Sequence, residues 1–367
     1  VTTDRKKVAI LTNLISPYRV PLFGGMSANF VVTVAIGLQE TNRPEWTRID
    51  DALNCSGVQV REIRGLLIRR SEDSFLHVNP GYLLFLFRER PNAVISFELG
   101  FRTLCAVIFT AILKRPLWIW SEGTSVSDGD VGHFRQLIRS FFVRVRARWV
   151  TLGTGSTDYL VSLGVRKDRI LQIQNGVDDK RYTSEGDRAE TDGPRPLILA
   201  VGQLIERKGL DLLLQSAKRL QDSGEVFTLR LVGSGPRRAA LEAMARDLQL
   251  DHVEFLGGIP SKDVPAQYRA ADSMVFPTLK DVWGLVVNEA MLCGTPVICS
   301  KYAGCAVDLL ESDDIFDPLS PEDFDRALLR AVKGELTKPN VARIWSMDQI
   351  VRTLCSDIES TLCGQSE

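Results

Sequence analysis

Two carboxylates eight positions apart, Asp281 and Glu289, flank a glycine at position 284 and an apolar, helix-like run that begins at Leu285. The first turn of a helix leaves backbone N–H groups unpaired and carries a partial positive charge, which suits a phosphate. A carboxylate on each side of a phosphate held there can take hydrogen bonds from hydroxyl groups. Residues 277–299 therefore have the chemistry to grip a diphosphate that carries a sugar at each end.

Other stretches can add to such a site. In Val201-Gly202-Gln203-Leu204-Ile205-Glu206-Arg207-Lys208-Gly209 a strand-like run ends, a glycine turns the chain, and a basic pair precedes a helix. Lys208 can act as a point charge toward phosphate, or it can be a solvated lysine at a helix start. Gly233-Ser234-Gly235-Pro236 after a second strand allows close backbone approach or a plain turn. Arg238 stands where a dinucleotide fingerprint needs its third glycine, which disfavours a nicotinamide-dependent oxidoreductase. Asn175-Gly176-Val177-Asp178 reads as a turn, and Gly257-Gly258-Ile259-Pro260 as a loop. In the first half, Tyr18 and Arg19 follow the first strand, where Arg19 can meet an anion. Glu122 follows the strand at 117–120, placed either to take a proton from a hydroxyl or to lie at the surface as a cap.

The elements needed to position these residues follow from apolar periodicity. Strands are expected at 8–11, 31–36, 93–97, 117–120 and 149–152, with helices starting near Pro21, Gly81, Phe101, His133 and Thr157. Residues 184–196 lack apolar periodicity and read as a linker. Strands then recur at 197–201, 228–232, 253–255, 273–276 and 296–299, with helices from near Gly209, Pro236, Val264 and Leu285 and a final one over 345–363. Alternation of this kind predicts an α/β protein of two parallel-sheet domains, 1–180 and 181–344, with ligands at the carboxyl ends of the strands in the cleft between them.

Composition narrows the class further. The chain has 367 residues and a net charge of −1, with +7 in residues 1–150 and −8 in the rest. The basic half suits an anionic partner or a membrane surface, or simply an uneven solvated surface. Arg135, Arg139, Arg144, Arg146 and Arg148 alternate with apolar residues, which makes 134–150 a candidate for peripheral membrane contact. Seven unpatterned cysteines and three scattered histidines argue against a metal cage and against a disulfide scaffold. The most apolar run, 104–113, is half the ~20 residues that span a bilayer. A cytoplasmic location is expected, peripheral to the membrane if 134–150 touches it.

Taken in order and spacing, these motifs resemble the retaining family 4 glycosyltransferases, whose architecture is GT-B, two Rossmann-like domains facing a cleft. The match lies in Val-Gly-x-Leu…Lys-Gly, Val-Gly-Ser-Gly-Pro, Asn-Gly-Val-Asp and a Glu-x7-Glu signature with Asp281 in its first position. Ser-Pro-Tyr-Arg-Val-Pro-Leu-Phe at 16–23 resembles a subgroup that builds cell-surface glycans or glycosylates small molecules.

The resemblance implies that Glu289 holds the ribose of a nucleotide-sugar donor and Asp281 the transferred sugar. It implies that N–H groups around Gly284, Leu285 and Val286 meet the diphosphate with Lys208, and that Ile259 meets the base. It also implies that the segment 345–367 crosses back to the first domain. Gln203 stands where the family often has Arg, which leaves Lys208, Arg207 or Arg19 to match the diphosphate charge. The implied donor is a nucleoside-diphosphate sugar, a UDP-sugar favoured, with no metal, no other cofactor and no nucleic acid. The implied acceptor is a hydroxyl on a lipid-linked glycan or a small molecule. A GT-B sugar-nucleotide epimerase and a non-catalytic glycan-binding protein are the alternatives.

Overall fold

In the computed structural model the described residues are 5–37, 56–63, 65–69, 75–128, 133–183 and 186–364. The strands are β1 (Lys7–Thr12), β2 (Val31–Ile36), β3 (Gln59–Glu62), β4 (Leu66–Arg69), β5 (Phe75–Val78), β6 (Ala93–Phe97), β7 (Leu117–Ser121), β8 (Arg148–Leu152) and β9 (Ile170–Ile173), followed by β10 (Leu197–Val201), β11 (Thr228–Val232), β12 (Val253–Gly257), β13 (Ser273–Phe276), β14 (Val297–Ser300) and β15 (Ile315–Phe316). The first sheet is ordered β3-β2-β1-β6-β7-β8-β9 and the second β12-β11-β10-β13-β14-β15, while β4 and β5 pair apart as a hairpin. Every pairing within the two large sheets is parallel.

Helices cover parallel strands on both faces, so inner strands read as unbroken apolar runs. Ala93–Phe97 is buried at every position, and so is Thr228–Val232, whose one charged side chain, Arg230, interrupts the apolar run and is paired with Glu254. Chain order reverses direction between β1 and β6 in the first sheet and between β10 and β13 in the second. Such a reversal leaves a crevice at the carboxyl ends of the two strands, where loops diverge and a ligand can enter. Arg19 follows β1 and Glu98 follows β6, while Lys208 follows β10 and Asp281 follows β13.

The carboxyl edges of the two sheets meet. Immediately after β8, the Thr154 backbone N–H and hydroxyl donate to Asp308, which lies beyond β14, at 3.0 and 2.6 Å. Gly153 turns there with φ of +69°, and a side chain at that position would collide with Trp283 and Asp308. One buried apolar cluster runs through both halves, from Leu152 and Val177 by way of Trp283 and Val287 to Met347 and Ile350. The helix Met347–Cys363 lies on the first sheet's side: Val351 packs on Gly25, Trp118 Nε1 donates to Asp357 at 2.7 Å, and Arg148 pairs with the same carboxylate.

Several elements carried little apolar signal in the sequence. Gln59–Glu62 is an exposed edge strand, β9 has four residues and β15 two. The helix Pro321–Val332 was legible in principle. Ser320 caps it through the Asp323 N–H, and Phe324, Ala327, Leu328 and Ala331 recur at helical spacing. The stretch 134–150 is not one helix. A helix, His133–Phe142, ends before β8, whose Trp149 and Val150 are fully buried. The side chains of Phe134 and Arg135 lie outside the described residues. Among the described residues no helix is long and apolar enough to cross a membrane.

Candidate active site

On the second sheet, Lys208 and Asp281 grip each other. Lys208 Nζ lies 2.6 Å from Asp281 Oδ2, and both side chains are largely buried. The ammonium also lies 4.7 Å from the centre of the Phe276 ring. Arg207 Nη1 is 3.6 Å from the same carboxylate oxygen and donates to the Lys280 carbonyl at 2.9 Å. The other Asp281 oxygen accepts from the Trp283 N–H at 3.2 Å. Asp281 is thereby fixed at the lip of the turn that starts the next helix. Gly284 makes that turn with φ of +107°, where a side chain would be strained and would press on Phe276. The helix Leu285–Leu292 begins there, with Leu285 and Val286 half-buried. Trp283 is anchored beneath it by its indole N–H on the buried Asn288 side chain, at 2.8 Å.

Glu289 sits one turn further along that helix, partly exposed. Its Oε2 accepts from the Tyr268 hydroxyl at 2.7 Å. Desolvation pushes the Glu289 carboxyl above its usual range, against hydrogen bonds from Tyr268 and Tyr182 and the charge of Arg181. The carboxylate is thus held in a cage of two tyrosines, ready to accept hydrogen bonds at an energetic cost to the fold.

The loops after β10, β11 and β12 stack on one another. Leu204 N–H donates to the Ser234 carbonyl at 2.9 Å, and Gly233 N–H to the Gly257 carbonyl at 2.8 Å. A side chain at Gly233 or Gly235 would collide with the backbone of Gly202 or Leu204. Loop-on-loop packing therefore accounts for these glycines without any ligand. Gln203 is exposed at the mouth of a depression lined by Gly202, Lys208, Phe276 and Pro277. Ile259 is half-buried in the outermost of the stacked loops.

Arg19 does not join the Lys208 cluster. It is buried, ion-paired with Glu122, and its guanidinium carbon lies 4.2 Å from the Phe97 ring centre, 5.3 Å from that of Trp120 and 5.6 Å from that of Tyr18. Phe97 and Trp120 stack on adjacent strands with centroids 4.7 Å apart. Burial opposes the charge on Arg19, but Glu122 and Tyr18 outweigh it and raise its pKa. On the neighbouring strand end, Glu98 adopts φ of +62°, unusual for a side-chain-bearing residue. Its carboxylate accepts from Arg102 at 2.6 Å and from Asn13 at 3.2 Å. Neither Glu98 nor Arg102 was singled out from the sequence. Their signal was position alone, directly after an apolar strand at the point where strand order reverses.

Two arginines of the basic stretch are committed within the protein. Arg139 pairs with Asp128 and Tyr159, and Arg148 with Asp357. Exposed Leu137, Phe141, Arg144 and Arg146 remain on or after the helix His133–Phe142. Among the described residues no group of three His, Cys, Asp or Glu side chains is placed to hold a metal ion.

Residues 184–344, which carry Lys208, Asp281 and Glu289, match the model of the family glycosyl transferases group 1. The match takes in 161 of the 367 residues, including the whole of the second sheet. The chain is 34% identical over 214 residues to the GDP-mannose-dependent alpha-(1-6)-phosphatidylinositol monomannoside mannosyltransferase of Mycolicibacterium smegmatis, covering 52% of this chain and 56% of that one. It is 38% identical over 110 residues to the 2-deoxystreptamine glucosyltransferase of Streptomyces kanamyceticus, covering 30% and 28%. The alignments thus span about half, or less, of the length of these curated relatives. The whole fold matches solved structures. Anabaena HepE in complex with UDP superposes with a TM-score of 0.69 at 16% identity, over 98% of both chains. The lipopolysaccharide outer core galactosyltransferase WaaB superposes with a TM-score of 0.68 at 15% identity, over 98% of this chain and all of that one. The architecture is GT-B.

Proposed function

We propose that the protein is a retaining, metal-independent glycosyltransferase that moves a sugar from a nucleoside-diphosphate donor to an acceptor hydroxyl. The observation that carries this reading is the placement of Lys208, Asp281 and Glu289 along one strand-end edge, on either side of the helix start at Gly284. Lys208 swings from Asp281 to the diphosphate, joined by the N–H groups of residues 284–286. Asp281 is then free to accept from the hydroxyls of the transferred sugar, and Glu289 from those of the ribose.

In the reaction the bond from the anomeric carbon to the diphosphate oxygen breaks, and its electron pair leaves with the phosphate. The acceptor hydroxyl attacks the cationic carbon on the same face, and its proton passes to the departing phosphate oxygen. Fixed charge and dipoles that meet the developing negative charge supply the largest share of such catalysis. Glu122 orients the acceptor hydroxyl from the first sheet.

A UDP-sugar is the favoured donor, in line with HepE, whose structure was solved with UDP. The GDP-mannose dependence named for the mycobacterial relative makes GDP-sugars the comparison to run. The acceptor hydroxyl belongs to a lipid-linked glycan or a small molecule, and exposed Leu137 and Phe141 with Arg144 and Arg146 give a small surface for peripheral contact with an anionic membrane. The test is a thermal-shift panel of UDP- and GDP-sugars. The cognate donor raises the melting temperature by mass action, and the purified protein slowly hydrolyses it unless Asp281 is replaced. Stabilisation by no nucleotide sugar contradicts the reading.

A further inference from the structure

The first sheet presents two acidic side chains at neighbouring strand ends, Glu122 after β7 and Glu98 after β6, and each is matched by one buried arginine. Arg19 answers Glu122, and Arg102 answers Glu98. Among the described residues, the two arginines at this edge are thus both engaged by carboxylates. The Glu98 side chain is 71% exposed and that of Glu122 25%, whereas those of Arg19 and Arg102 are 11% and 7% exposed. An incoming group therefore meets carboxylate oxygens before it meets guanidinium nitrogens.

Two donors nearby lack partners. Arg19 Nη1 and Trp120 Nε1 are buried and find no hydrogen-bond acceptor among the described residues, and the guanidinium lies 5.3 Å from the Trp120 ring centre. Buried donors of this kind are rare and mark a place where an acceptor atom belongs. A hydroxyl oxygen suits the cluster on both counts, since it can accept from Arg19 Nη1 while its hydrogen donates to Glu122. An ionised phosphate oxygen has no hydrogen to give and faces Glu122 and Glu98 as like charges.

From this charge balance we infer that the acceptor subsite on the first sheet takes a neutral polyhydroxy group, a sugar ring or polyol without a phosphate at that position, and that Arg19 is the positioning partner of Glu122 and not an anion binder. The inference rests on the transferase reading above.

It is tested by ligand-observed NMR titration of the protein saturated with its nucleoside diphosphate. The probes are methyl glucoside, methyl mannoside and inositol, each run against the corresponding sugar or inositol phosphate. A neutral probe should bind, with its phosphorylated counterpart at least about tenfold weaker, since like charges juxtaposed at an interface are strongly disfavoured. Glu122→Gln, which leaves Arg19 uncompensated, should weaken the neutral probe and reverse the preference toward the phosphate. A cooperative melting transition and unchanged nucleotide affinity in that variant establish that it folds, and Arg19→Lys should keep the preference for the neutral probe. Stronger binding of the phosphate by the unaltered protein overturns the inference, as does binding of no neutral probe, while nucleotide binding stands. Failure of the nucleotide itself to bind strikes at the transferase reading instead.

Discussion

Lys208 Nζ and Asp281 Oδ2 lie 2.6 Å apart across the loops that follow β10 and β13. The cation proposed to meet a diphosphate and the acid proposed to meet a sugar neutralise each other. Replacing Asp281 by Asn should therefore separate binding from turnover. Asn keeps the shape but stops competing for Lys208, so affinity for the nucleoside diphosphate should hold or rise, while sugar transfer falls. Calorimetry alongside single-turnover kinetics reads both.

Replacing Lys208 by Ala should lower turnover about 10²–10³-fold, the range seen when one preorganised donor to a developing anion is removed. Arg207, 3.6 Å from Asp281 and tied to the Lys280 carbonyl, stays beside the acid and does not replace the lysine's reach. Restoration of activity by Arg at position 208 would argue for charge alone, without geometry.

Glu289 should show a trade between stability and function. Its carboxyl pKa is raised by desolvation, so protonation favours the folded state. The stabilising proton is fully bound below the unfolded-state carboxylate range and is lost as pH rises through the higher folded-state value. Glu289→Gln mimics the protonated form. Its stability relative to the unaltered protein should therefore increase from acid to neutral pH, as read by urea denaturation, while its affinity for nucleotide falls at neutral pH.

Gly153→Ala should destabilise the junction of the two sheets by about 1–2 kcal/mol from its left-handed backbone alone. The added carbon also strikes Trp283 and Asp308, which adds to that cost. Asp308→Ala, which strips the Thr154 N–H and hydroxyl of their acceptor, should cost a further ~1 kcal/mol as a lost helix cap does. Chemical denaturation of each variant checks both values.

The parallel strands and the Asp281–Glu289 edge were legible because burial on both faces writes unbroken apolar runs, and because a glycine turn before an apolar helix has a fixed local pattern. The roles of individual residues were less so. Arg19 read as a free cation beside a strand end, but its partner Glu122 is 103 residues away and the aromatic platform of Phe97 and Trp120 comes from two other strands. Gly233 and Gly235 read equally as room for a ligand or as a plain turn, and the space they leave is filled by the neighbouring loop. The basic run 134–150 suggested one surface, yet it divides into a helix and a buried strand because Trp149 and Val150 pair into the sheet. For Arg19 and the two glycines the deciding partner is distant in sequence, and local periodicity carries no record of it.

The donor grip itself is tested most directly by titration calorimetry of UDP and GDP against the unaltered protein and the Glu289→Ala variant. The account predicts saturable one-site binding of one of these nucleotides, weakened at least about tenfold when the carboxylate proposed to hold the ribose is removed, a loss in the range of a charged hydrogen bond. Equal affinity in the two proteins, or no binding of either nucleotide, would contradict it.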